Sequence, residues 1–457
     1  MPKAPPSTRF PLLLLAYFAF ISLGLPDGLL GVGWPSISPD FGVPTAAVGL
    51  LLTVSTTGYL ISSVAAGFSI ARLGVGWLLA ASTGMAGLAL AGYSVSPGLT
   101  VMLGFGLLLG LGSGAIDSGL NAYAATAFGP RHMNWLHAFF GLGVAIGPLI
   151  MTTVLSTGLA WRWGYGIVAT AQLLLALAFA RTAGAWANHR SAATTSTRQP
   201  TAEPEPTAGP EPVAEPEPTA GPEPVAGPEP VAGPEPAVAP APPVGPVRIK
   251  ETLALPAVWL GALGFAVYVA IEVAAGLWAF LLLTEGRGLS ATVAGVCVSI
   301  YWGSLFVGRV VQGFVAERLG SARVLRWSLV AMVVGAVLVA VPGPAPLAVV
   351  GLATIGFGAA PVFPLLTLTT AERVGAAHAD RTIGMQIGAA GLGGTLAPAG
   401  IGILIGRFSV EALGPSLVVL TVVLLALHAS GGRRTRPAGP AGDGDQLGPV
   451  RPVVEGR

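Results

Sequence analysis

Three carboxylates stand where acids seldom do. Asp27, Asp117 and Glu272 each fall inside an apolar run long enough to cross a bilayer, whereas the other acidic residues lie in loops, at helix ends or outside the runs. Insertion scales put the cost of a charge at bilayer depth at about 2.5–3.5 kcal/mol, so such a residue is functional by default. The chemistry open to it is proton exchange and hydrogen bonding to a polar solute. Helical spacing supplies neighbours on the same face. Asn121 lies four residues after Asp117, Tyr268 four before Glu272 and Trp34 seven after Asp27. A carboxylate with an amide or an aromatic ring is a common means of gripping a polyol. The plain alternatives stay open: a carboxylate bonded to a neighbouring helix, and for Trp34 an aromatic anchor at the membrane interface. Arg309 is the one base well inside a span, placed to pair with an acid or to serve a latch at the helix ends.

These residues need a membrane-spanning scaffold, and the composition provides one. The 457 residues are 53% hydrophobic and 10% charged, with a mean hydropathy of +0.74. Soluble domains carry roughly a quarter charged residues. Runs of about 20 apolar residues cross about 30 Å of hydrocarbon as helix. Twelve such spans are expected, six between Pro11 and Arg181 and six between Thr252 and Ala429. The fold class is therefore an all-α membrane protein of twelve transmembrane helices in two six-helix bundles, residues 1–182 and 248–430, with a linker over 183–247 and a tail over 431–457.

The linker contains PEPTAGPEPVAEPEPTAGPEPVAGPEPVAGPEP. Proline at every second or third position removes backbone donors and fixes φ, so a disordered or polyproline spacer is expected. The single Cys297 and five scattered histidines give neither a disulfide nor a metal site, and no cofactor is expected. No nucleotide-binding motif is present, which argues against a primary pump or an enzyme. Basic residues sit in loops rather than in a patch, which excludes nucleic acid as a partner. Arg72, Arg131, Arg318, Arg323, Arg326, Arg373 and Arg381 fall in loops on the side of the termini, against only Arg162, Arg287 and Arg407 opposite. The positive-inside rule then puts both termini and the linker in the cytoplasm. Arg outnumbers Lys 21 to 2, the usage of a GC-rich bacterial genome, so a bacterial cytoplasmic membrane is expected.

The chain repeats itself. GFSIARLG (Gly67 to Gly74) matches GFVAERLG (Gly313 to Gly320) at a shift of 246, and GLGVAIGP (Gly141 to Pro148) matches GLGGTLAP (Gly391 to Pro398) at 250. Parallel six-helix repeats are the pattern of transporters that rock one half against the other around a midplane site.

At these residues the chain resembles the major facilitator superfamily. Gly67, Arg72 and Gly74, with Gly313, Glu317, Arg318 and Gly320, look like that superfamily's gating loops after helices two and eight, although Ala71 stands where an acid is usual. Three segments, LGLPDGLLGVGWPSI, GLGSGAIDSGLNAYAATAFGP and NWLHAFFGLGVAIGP, are most similar to the fucose:proton symporter group. The resemblance implies sugar binding and proton coupling by Asp27, Asp117 and Asn121, with His137 near a polar position of helix five. Gly143-x-x-x-Gly147-Pro148 also resembles a drug:proton antiporter motif. The expectation is a monomeric secondary transporter whose partners are a small polar solute, a sugar first, protons and the lipid bilayer. A drug or metabolite exporter of the same fold is the alternative.

Because a Pro- and Glu-rich tract packs no core, removing residues 203–236 should leave solute uptake largely intact in proteoliposomes. Loss of uptake in protein that still reaches the membrane would instead give the tract a regulatory role.

Overall fold

The structure, a computed structural model, describes residues 6–128, 130–186 and 248–433, without the side chains of 313–317 and a few others. The expected linker, apart from its first four residues, and the tail from 434 lie outside the described residues. In hydrocarbon every backbone N–H and C=O must be bonded within its own segment, and helices do this locally. The apolar runs accordingly form helices throughout, and no strand occurs among the described residues. The first half holds α1 (Pro6–Asp40), a stretch over Val48–Val95, α4 (Leu99–Ala127), α5 (Pro130–Ser156) and α6 (Arg162–Thr182). Gly74 interrupts Val48–Val95 with φ 74° and ψ 162°, so this stretch is two helices, α2 over 48–73 and α3 over 75–95. The second half holds α7 (Pro256–Leu281), α8 (Ala291–Leu319), α9 (Ser321–Ala340), α10 (Ala345–Ala359), α11 (Ala376–Arg407) and α12 (Leu413–Arg433). By length and hydropathy 11 stretches among the described residues suit a membrane. The turn at Gly74 makes them twelve spans.

The repeat is visible in the packing. Gly74 and Gly320, 246 residues apart, both take positive φ and turn the chain after α2 and after α8. Gly110 of α4 lies against the Ser55 carbonyl, and Gly356 of α10 against the Tyr301 carbonyl, again at a shift of 246.

Boundaries differ where proline acts. The first span, expected to end near Gly33, continues to Asp40 through Pro35 and Pro39. The seventh, expected from Thr252, starts at Pro256, because proline suits a first helical position; Ile249–Leu253 forms a separate short helix. The tenth breaks after Ala359 at Pro361 and resumes as Val362–Leu368. The first bundle, expected to end at 182, keeps its packing to Trp186. That indole is fully buried against Tyr123 and Phe179.

The halves meet on the side away from the 67–74 loop. A Cβ on Gly31 would fall 2.9 Å from the Gly276 carbonyl oxygen, and one on Gly49 3.2 Å from Ala399 Cα. Gly295 lies against Thr152, and the Thr56 and Thr395 hydroxyls are 3.1 Å apart. Toward the loop side α2 and α11 diverge: Gly391 still faces Thr56, but Gly67, Gly384 and Gly388 meet nothing within 4 Å. Between α2 and α11 the halves are thus in contact away from the loop and apart at the loop end.

Two of the far-side arginines are neutralised. Arg162 Nη1 is 2.5 Å from Asp40 and Arg287 Nη1 2.9 Å from Glu411. Arg287, with a side chain 4% exposed, also donates to the Val339 and Val341 carbonyls, at 3.0 and 3.2 Å. Arg287→Ala should therefore lower stability by about 1–3 kcal/mol through the acceptors it orphans. Arg162→Ala, whose ion pair is exposed, should lower it by less than about 1 kcal/mol. Thermal unfolding of the purified protein in detergent checks the order.

Candidate functional site

The site begins on α1. From Gly24 to Trp34 every residue is buried except Asp27, which is exposed. A helix enclosed on all sides with one accessible carboxylate lines an internal space. The enclosure comes from small residues, which let backbones approach closely. A Cβ on Gly28 would sit 2.8 Å from Pro148 Cδ, and one on Gly147 2.8 Å from Gly28 Cα. Gly143 and Gly147 are thus spent on packing α5 against α1.

Polar groups from both halves converge near Asp27. Its charge is felt by Glu272 of α7 and by Tyr59 of α2. On α4, Asp117 accepts from the Tyr59 hydroxyl at 2.6 Å and from Asn121 Nδ2 at 2.9 Å. The other amide atom, Asn121 Oδ1, is buried with no partner among the described residues. On α7 the Tyr268 hydroxyl donates to the Glu272 carboxylate. The Tyr301 hydroxyl of α8 holds the Glu272 backbone carbonyl at 2.8 Å, and Arg309 Nη2 stands 3.9 Å from Glu272 Oε1. Arg309 also reaches across the halves, donating from Nη1 to the His137 carbonyl at 3.3 Å. His137, exposed on α5, lies within electrostatic range of Asp117 and Arg309 and turns its ring edge-on to Phe20.

Asp27, Asp117, Asn121, His137, Tyr268, Glu272 and Arg309 are therefore brought together. Trp34 is not among them: it is 1% exposed, and its indole donates to the Thr45 carbonyl at 2.8 Å, tying α1 to the start of the next element.

The family model described as Major Facilitator Superfamily matches residues 16–398. The chain is a member of that superfamily. Among solved structures, the crystal structure of a mutant of the nucleoside transporter NupG is similar, with a TM-score of 0.63 and 14% identity over 92% of this chain and 99% of that one. No curated protein matches the chain in sequence. Transporters built of two such repeats carry their site between the halves.

Of the loops expected to gate, the described side chains are few. Gly67 is open, and the Arg72 guanidinium lies 4.1 Å over the Phe68 ring. Arg318 is exposed, and the side chains of Gly313 to Glu317 are outside the described ones. Tyr59 and Tyr301 are site residues that spacing did not point to, since each binds an acid of a different helix. Their only sequence signal is a tyrosine in mid-span.

The exposure of Asp27 predicts reactivity. In a Cys297→Ser background, Asp27→Cys should react with a water-soluble thiol reagent, and Trp34→Cys should not. Equal protection of both would place Asp27 in a dry interior.

Proposed function

We propose that the protein is a proton-coupled transporter that imports a small polyhydroxylated solute across the bacterial cytoplasmic membrane, with both termini in the cytoplasm and the monomer as the working unit. The observation that supports this reading is Asp27 of the first half, accessible on an otherwise buried stretch of α1 and within electrostatic range of Glu272 of the second half. A carboxylate in contact with internal water exchanges protons with it, and one shared between the halves feels their relative motion. A solute that bonds one charge state better than the other becomes linked to the proton, because a ligand shifts an equilibrium only by its differential affinity.

The solute class follows from the surrounding groups. Carboxylates, the Asn121 amide with a free acceptor and the phenols of Tyr59 and Tyr268 suit hydroxyl donors and acceptors more than a cationic or wholly apolar drug. A sugar fits this description first. A nucleoside fits through its ribose, and the nucleoside transporter with a similar fold adds it to the panel. Gly143 and Gly147, the motif behind an exporter, serve helix packing here.

The orientation is supported by charge. Seven loop arginines lie on the side of the 67–74 loop against three opposite, and the positive-inside rule counts these residues.

The test is uptake by proteoliposomes of labelled sugars, nucleosides and cationic dyes under a pH gradient of either sign. Asp117→Asn should abolish gradient-driven accumulation while sparing counterflow exchange. Asp27→Asn should weaken both, because it also removes a solute contact. Unimpaired accumulation by both variants would assign the proton to Glu272 or show the mechanism to be sodium-linked or uncoupled. Dye extrusion without sugar or nucleoside uptake would favour the exporter.

A further inference from the structure

Far from the midplane site, at the loop end of the second bundle, lies a cavity of about 140 Å³ between α7, α9, α11 and α12. A water occupies about 30 Å³ of liquid, so the cavity has room for a group the size of a phosphate. Apolar walls from Leu260, Phe265, Leu366 and Leu424 enclose it, and its polar lining is Arg373, Gln386 and His428. None of these belongs to the transport network described above.

The lining is basic and unspent. Arg373 makes no ion pair among the described residues, and burial holds its guanidinium below its usual pKa, with only Glu372 acting against this. Arg373 and Arg326 both lie within electrostatic range of His428. His428 Nδ1 is buried without a partner among the described residues. Gln386 is 4% exposed; its carbonyl accepts from the Thr370 hydroxyl at 3.0 Å, which leaves its amide nitrogen directed at Gly261 on the cavity wall. Arg373 on the wall, with Arg326 within electrostatic range of His428 and no acid among the described lining residues, gives the cavity a positive potential that an anion would satisfy.

An open groove adjoins the cavity. Leu260 also lines this groove of about 660 Å³, formed by Leu253, Pro256, Trp259 and Leu263. Trp259 is 56% exposed and Leu263 49%, and the Trp259 indole donates to the Leu253 carbonyl at 2.8 Å. An amphipathic ring fixed at the end of a span sits at headgroup level. A free anion would use the cavity and leave the groove empty. A molecule with an anionic head and a hydrocarbon tail would fill both. We propose that Arg373, Gln386 and His428, with Arg326 nearby, form a headgroup site for an anionic phospholipid, with its phosphate in the cavity and an acyl chain along the Trp259–Leu263 groove.

The full-length protein in nanodiscs tests this. Phosphatidylglycerol mixed into phosphatidylcholine should raise the melting temperature and stay bound through purification, as read by native mass spectrometry, and pure phosphatidylcholine should do neither. Arg373→Gln should weaken retention of phosphatidylglycerol about fivefold, the equivalent of one juxtamembrane cation. Arg326→Gln, an exposed position that tolerates change, should act in the same direction and stands in if the buried variant misfolds. Arg181→Gln, an equal loss of charge at the end of α6, should have no effect. Equal retention of the two lipids, or unchanged retention in both Arg326→Gln and Arg373→Gln, overturns the proposal. Full displacement of the lipid by millimolar inorganic phosphate also overturns it, in favour of a soluble-anion site.

Discussion

Holding ionisable groups at membrane depth is the constraint on which the rest of this structure depends. Each of the three acids meets it differently. Asp27 stays accessible within the protein, Asp117 is bonded by Tyr59 and Asn121, and Glu272 has Tyr268 and the more distant Arg309. Half of these partners come from another helix. The acids can be solvated only if α1, α2, α4, α5, α7 and α8 converge, and their convergence is what makes a polar site in an apolar bundle. Small residues allow the approach: with any side chain at Gly28 or Gly147, α1 and α5 would separate and Asp27 would lose its enclosure.

The two halves share geometry but not chemistry. Gly110 on Ser55 and Gly356 on Tyr301 are one contact made twice, and Asp27 and Glu272 occupy nearly equivalent places. Yet the first half presents an open carboxylate, and the second presents one beside an arginine. Arg309 and Glu272 are both in the second half and move with it. The bond from Arg309 to the His137 carbonyl and the Asp27–Glu272 interaction cross the seam. A change in charge on Glu272 therefore alters the hold of Arg309 on the first half, through one bond already made.

What the sequence made legible was the part written in long runs and in charge. Twelve spans, the repeat and the acid-bearing helices follow from hydropathy and from a shift of 246. The limits of spans one, seven and ten were less legible, because proline either continues, starts or breaks a helix according to which neighbours take up the freed carbonyl. Asn121 and Tyr268 were readable because they share a helix with the acid they serve. Tyr59 and Tyr301 were not, since their partners lie 58 and 29 residues away and are set by helix packing. Trp34 shows the reverse case. Its spacing from Asp27 suits a shared face, but its indole finds a carbonyl at the chain turn after Asp40.

The parted loop end also bears on the missing acid at position 71. A gating loop whose arginine has its own carboxylate neighbour carries its counter-charge with it. With Ala71 in that place, Arg72 turns instead to the face of Phe68, one helical turn back on α2. That stacking keeps the guanidinium favourably placed at the membrane surface while the loop ends are apart. Closing the loop end brings the Arg72 and Arg318 loops toward each other, and of the two loops only the second holds an acid, Glu317. The far end differs, because there Arg162 and Arg287 are paired with Asp40 and Glu411.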